Sequence, residues 1–376
     1  MNADYPSRSI TSPVVPQGSK KSVCSLLARL FAHTHWLLWL MALAGVLQAA
    51  EPARDAWLKD WRTTNAVWRG VQLSVSDDRA AETLAGQLPK LATLGVNALV
   101  IEVDYNFAFD SHPELRLGRV LTKEGAAKLG KACRDQGIRP IPLFNCLGHQ
   151  SWSQTTFPLL VKYPELDETP GKFEGNKDIY CRSWCPQHPE VNRIVFALLD
   201  EMIEAFGADA LHAGMDEVFL IAFEHCSRCK GGDPAKLFAK AVNDLHAHLV
   251  GQRKVEMLIW GDRLLEAKTT GYGKWEASEN GTHPAIDLVP KDIIVCDWHY
   301  EKRDEYRSVP LLLEKGFRVW PSGWKKVEAT EALIDAAQQH RNERMLGHLC
   351  TTWGAVGIPQ MAEWPPIVAA MKKWAK

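Results

Sequence analysis

Two neighbouring carboxylates, Asp216 and Glu217, end the run Leu211-His212-Ala213-Gly214-Met215. A predicted strand over 210–217 places both at its tip. An acid pair at the end of a buried strand is costly, because each ionised group must find partners or keep its proton. That cost is met most often where acid–base chemistry is done. The plainer reading is one acid capping a helix and the other solvated. Polar residues at the other predicted strand ends weigh against it: Asp104-Tyr105-Asn106, Asn145 with Gly148-His149-Gln150, Asp262-Arg263, Asp297-Trp298-His299-Tyr300 and Thr352-Trp353-Gly354. Acids interleaved with aromatic residues describe a pocket for a polar ring with apolar faces, namely a sugar.

The elements that would hold these residues alternate. Apolar, β-rich runs over 68–75, 98–104, 139–145, 210–217, 255–260, 293–300, 318–320 and 346–353 read as eight strands. Amphipathic stretches over 80–94, 122–136, 189–206, 236–250, 309–315, 328–341 and 361–374 read as helices. Eight strands, nearly all followed by a helix, predict an α/β chain folded as a single (β/α)8 TIM barrel over 67–376, with its functional residues at the C-terminal strand ends. No glycine-rich phosphate loop follows the first strand, which argues against a dinucleotide fold.

The chain has 376 residues, 46% of them hydrophobic, enough for one large core. With a net charge of -1, nothing in the composition suggests a surface for nucleic acid or anionic membrane, and neither is expected as a partner. Residues 1–50 read as an export signal. Lys20, Lys21 and Arg29 form a basic region, the apolar run from Trp36 to Leu47 follows, and Ala50 is the expected cleavage point. An uncleaved anchor is the alternative, although the run is short for a full span. The expected location is periplasmic or extracellular, without stable membrane insertion after cleavage. Residues 51–66 read as a polar lead-in. Cys24 lies within the signal and eight cysteines follow it. Cys181, Cys185, Cys226 and Cys229 form two close pairs, open to disulfides, a structural zinc or free thiols. No catalytic metal or cofactor is expected.

Several motifs join into a pattern. His212-Ala213-Gly214-Met215-Asp216-Glu217 matches H-x-G-G-D-E with Met215 in place of the second glycine, and Leu147-Gly148-His149 matches P-G-H. Asp104 after the second strand, Ile259-Trp260-Gly261-Asp262, Trp353 and the stretch from Cys181 to Pro189 fall in the same order. In these motifs residues 68–355 resemble the family 20 glycoside hydrolases, the β-N-acetylhexosaminidases.

The resemblance implies removal of terminal N-acetylhexosamine by a retaining, substrate-assisted mechanism. Glu217 would be the acid/base, and Asp216 would orient the substrate's 2-acetamido group. Asp104 and His149 would form a relay to Glu217. Arg69, Trp260, Trp298, Tyr300, Trp320 and Trp353 are the candidate substrate contacts. Departures fall on the outer sugar hydroxyls: Ser74 and Asp77 stand where the family has an Asp and an Arg, and Gly354-Ala355 replaces the end of W-x-E. Trp324 lies where the family's tyrosine is expected, leaving Tyr300 or Tyr105 as substitutes. A different substrate preference is therefore expected. The alternatives are a hydrolase of another glycan class and a non-catalytic sugar-binding barrel.

Overall fold

A computed structural model describes residues 55–374. The predicted signal and its cleavage point lie outside the described residues. Among these, no helix is long and apolar enough to cross a membrane. The described part of the expected lead-in is helical up to residue 64, and Trp61 on it is buried.

Eight parallel staves follow: β1 Trp68–Ser74, β2 Ala98–Glu102, β3 Arg139–Cys146, β4 Ala210–Gly214, β5 Glu256–Trp260, β6 Ile294–Cys296, β7 and β8 Gly347–Thr351. Stave β7 is in two pieces, Arg318–Val319 and Ser322–Gly323. Pro321 sits between them and has no N–H for a ladder. The first piece pairs with β6 and the second with β8, which in turn pairs with β1. The sheet thereby closes, giving the (β/α)8 TIM barrel expected from the alternation.

The helices that cover it are α1 Asp78–Leu94, α2 Lys123–Asp135, α3 Pro189–Phe206, α4 Pro234–His246, α5 Ser308–Glu314, α6 Val327–Gln339 and α7 Pro365–Trp374. Asp77, which departs from the family pattern, caps α1: its Oδ1 accepts the Ala80 N–H at 2.8 Å. Strand four ends at Gly214 rather than Glu217.

Two cores result from the period-two alternation of each stave. Val71 and Leu73 on β1, Leu99 and Ile101 on β2, and Leu211 and Ala213 on β4 pack outward against the helices. Residues of the other parity, such as Ala98, Val100, Ile141, Leu143 and Leu258, fill the barrel. The inward series then runs on to the C-terminal rim, which is how the staves deliver Ser74, Glu102 and Asn145 to one cavity.

The opposite mouth is shut. Arg139, fully buried at the start of β3, pairs with Asp209 and with Glu256 at 2.6 Å. Its guanidinium lies 5.4 Å from the Trp61 ring centroid and 5.0 Å from that of Trp68. Trp320 meets Trp68 edge-on at 5.3 Å. Gly70 makes this possible: a Cβ there would come within 2.2 Å of the Trp320 ring.

Candidate active site

A cavity of about 610 Å³ opens at the C-terminal ends of the staves, within the usual range for small-ligand sites. Glu102, Asp104, Asn145, His149, Asp216 and Glu217 supply its polar groups. Trp152, Tyr180, Trp298, Tyr300, Trp324 and Trp353 supply its aromatic walls.

The acid pair reaches one cavity because the chain leaves β4 in an unusual path. Gly214, Met215 and Glu217 have φ of +66°, +76° and +50°. Three left-handed residues among four break the alternation that would send neighbouring side chains to opposite faces. Glu217 is then pinned from behind, its N–H donating to Asp262 Oδ2 at 2.9 Å. Asp262 also accepts from Arg263 Nε at 2.6 Å and from Trp298 Nε1 at 3.3 Å. A buried carboxylate thus fixes both an acid and a wall residue.

His149 stands opposite the pair. Its Nε2 lies 3.0 Å from Glu217 Oε2 and 3.3 Å from Asp216 Oδ2. Burial works against its charge, but the charge and hydrogen bond of Asp216, with the bond to Glu217, hold the imidazole well above the ordinary histidine value. Asp216 Oδ1 is buried and has no hydrogen-bond partner among the described residues.

Glu102 and Asp104 form a second acidic group, tied together by Asn145. Asp104 Oδ1 accepts the Asn145 N–H at 2.7 Å and Asp104 Oδ2 accepts from Asn145 Nδ2 at 2.9 Å. Among the described residues no hydrogen bond joins Asp104 directly to His149, the pair expected from the resemblance to form a relay; Asn145 bonds both Asp104 oxygens, and the imidazole acts on the Asp104 carboxyl through its charge, which favours the ionised form. Glu102 accepts from Gln72 Nε2 at 2.8 Å and Ser74 Oγ at 3.0 Å. Burial first and Asp104 next push the Glu102 carboxyl up to about 7, with Ser74 and His149 opposing.

Of the expected substrate contacts, Trp298, Tyr300 and Trp353 line the cavity. Trp298 stacks on Tyr300 at 4.9 Å, and Trp353 Nε1 donates to the Tyr300 hydroxyl at 2.7 Å. Three others do not line it. Arg69 has the outward parity of Val71 and sits at the opposite end of β1, where its Nε donates to Gly95 O at 2.6 Å. Trp320 turns down the barrel, donating to Trp68 O at 3.2 Å. Trp260 lies one layer beneath the rim, 5.6 Å from Trp353 and 4.4 Å from His212. Tyr105 is buried behind the site, its hydroxyl donating to Gln150 Oε1 at 2.6 Å.

Trp152 and Tyr180, absent from the sequence reading, come from the connection between β3 and α3. Trp152 is 53% exposed and stacks on His149 at 6.3 Å. Tyr180 meets Trp152 edge-on at 5.4 Å. Burial first, then the Glu217 charge, raise its phenol above the ordinary value. Strand parity would have found Glu102, on the inward face shared with Ser74 and Asn145; no periodicity marks Trp152 or Tyr180.

Two clusters among the described residues converge closely enough to hold a metal ion. One is His149, Asp216 and Glu217; the other is Glu168, Cys185, Cys226 and Cys229.

A parallel barrel presenting an acid pair and an imidazole to an aromatic-walled rim cavity has the layout of a carbohydrate-processing site. Comparison with known proteins makes the class definite. The profile described as glycosyl hydrolase family 20, catalytic domain, matches residues 71–355, and the chain belongs to that family. A lacto-N-biosidase of Bifidobacterium bifidum is 25% identical over 201 residues, covering 50% of this chain and 17% of the relative. A beta-hexosaminidase of Akkermansia muciniphila is 28% identical over 110 residues, covering 29% of this chain and 22% of the relative. The chain thus spans about a fifth of the length of these curated relatives. The solved Flavobacterium johnsoniae chitobiase shares the fold with a TM-score of 0.61 at 18% identity, over 81% of this chain and 48% of that one.

Proposed function

We propose that this chain is an exported glycosidase that releases terminal N-acetylhexosamine, N-acetylglucosamine or N-acetylgalactosamine, by a retaining, substrate-assisted reaction. Family membership supports the class of reaction, and the N-terminal pattern supports export. The observation that carries the mechanism is the unpartnered Asp216 Oδ1 beside Glu217. A buried acceptor without a donor is costly, and a substrate amide N–H would satisfy it.

The steps then follow. Asp216 accepts the N–H of the 2-acetamido group and aims its carbonyl oxygen at the anomeric carbon. Glu217 gives its proton to the leaving glycosidic oxygen as that bond breaks, and the new C–O bond closes an oxazolinium ring. Glu217, now a carboxylate, takes a proton from water as the water attacks the anomeric carbon. The ring reopens with net retention. His149 bonds one oxygen of each acid and so holds both in register. Trp298, Tyr300 and Trp353 offer faces for the sugar ring.

Outer-hydroxyl recognition differs from the family pattern. Arg69 is turned away, and Ser74 is engaged with Glu102. We infer a preference for substrates held more by stacking than by ionic contact with those hydroxyls.

The test is hydrolysis of aryl reporters. N-acetylglucosaminide or N-acetylgalactosaminide is cleaved, a plain glucoside is not, and an oxazoline-mimicking thiazoline inhibits. Glu217→Gln and Asp216→Asn each lower kcat by about 10²-fold or more. Equal cleavage of the plain glucoside, or two fully active variants, would refute the reading. Sugar binding with no turnover by wild type would favour a non-catalytic barrel.

A further inference from the structure

The second convergent cluster lies outside the sugar cavity and takes no part in the chemistry above. Cys185 Sγ lies 3.3 Å from Cys229 Sγ and 3.5 Å from Cys226 Sγ. The three sulfurs and a Glu168 carboxylate oxygen all fall within 4.8 Å of one another. All four residues are buried. Glu168 Oε1 accepts the Phe223 N–H at 2.9 Å, while Oε2 is buried without a partner among the described residues.

We propose that Glu168, Cys185, Cys226 and Cys229 form a structural zinc site. Three thiolates and one carboxylate are a complete tetrahedral donor set. Zinc–sulfur bonds of about 2.3 Å at tetrahedral angles place sulfurs about 3.8 Å apart, close to the spacing seen. Cys226 and Cys229 also have the two-residue separation of a zinc knuckle, with Lys230 N–H donating to Cys226 O at 2.9 Å to tighten the turn. A disulfide accounts for less. It would join two of three converging sulfurs, strand the third, and leave the buried carboxylate oxygen without purpose. The eight described cysteines form no disulfide.

The cysteine quartet suggested by sequence spacing is not the one that assembles. Cys181 points elsewhere, its Sγ donating to Glu217 O at 3.5 Å, and Glu168 takes the fourth position.

The site joins two connections. Glu168 and Cys185 lie on the one that carries His149, Trp152 and Tyr180, and Cys226 and Cys229 on the one that carries Asp216 and Glu217. The ion would staple the halves of the cavity rim together without touching substrate. Its function is positional, and metal binding here contributes to folding.

The test is the metal content of the purified full-length chain, measured by elemental analysis alongside intact mass and thiol titration. One zinc per chain is expected, with three thiols that become reactive only on chelation. Cobalt(II) exchanged into the site should give the intense visible absorption of a tetrahedral thiolate complex. Glu168→Gln should bind zinc more weakly in a chelator competition, and Cys181→Ser should retain one equivalent. Two results overturn the proposal: folded wild type that binds no zinc after zinc supplementation, or an intact mass lower by two hydrogens with Cys185 bridged to Cys226 or Cys229. None of these readouts depends on glycosidase activity.

Discussion

Replacing Gly214 by alanine tests how the acid pair is presented. Gly214 has φ +66°, and a Cβ there would lie 2.7 Å from Asn145 Oδ1, 3.0 Å from Asn145 Cα and 3.3 Å from Cys146 N. The first of these atoms can swing away; the other two are backbone of β3. An L-residue in this conformation costs about 1–2 kcal/mol, and crowding a packed site costs about 1–3 kcal/mol more. Together they predict a loss of about 2–5 kcal/mol of stability. Asn145 is also the group bonded to Asp104 and Glu102, so its displacement disturbs the cavity floor. Movement of the acid pair by about 1 Å lowers kcat by about 10²-fold. The assay pairs urea unfolding with initial rates on an aryl N-acetylhexosaminide. A Gly214→Ala protein with unchanged stability and kcat within about twofold of wild type would refute the argument that this glycine turns the chain.

Arg69→Ala should leave KM and kcat within about twofold while lowering stability by about 1 kcal/mol through loss of the bond to Gly95 O; a large rise in KM would contradict the outward placement of the side chain. Glu102→Gln should alter the pH dependence of stability. The folded Glu102 carboxyl sits at about 7 against an ordinary 4.5, so the native state holds a proton that the unfolded chain has released between those values. This stabilisation is complete below 4.5 and is lost as pH rises through 7. Urea unfolding at several pH values should show a decline in wild type that the variant lacks, and parallel curves would dismiss it. Tyr300→Phe leaves Trp353 Nε1 without its acceptor, so stability should fall by about 1–3 kcal/mol and kcat/KM by about tenfold or more; unchanged values would remove Tyr300 from the cavity wall.

The barrel was readable because strand and helix periods alternate cleanly and because prolines and glycines punctuate them. The acid pair was readable as chemistry because two carboxylates at a strand tip have few structural uses. Parity was the neglected signal: Arg69 and Glu102 differ chiefly in which face of a stave they occupy. Trp320 misled for a different reason. It follows the first piece of β7, but the space above Gly70 draws its ring down the barrel. The connection between β3 and α3 was opaque because it folds around a single ion. Arg182 donates to Asp167, Asn176, Lys172 O and Phe173 O, and no sequence period encodes such a hub. Glu168 was hidden in the same way, since only the closed connection sets it among the cysteines.

The plug of Arg139, Asp209, Glu256, Trp61 and Trp68 across the lower mouth leaves the interior a cul-de-sac. A ligand and the water it displaces must share one doorway, and in the proposed reaction a released sugar must back out before the next can enter. Traffic through that doorway, rather than bond cleavage, can then limit how fast the molecule turns over once the chemistry is quick.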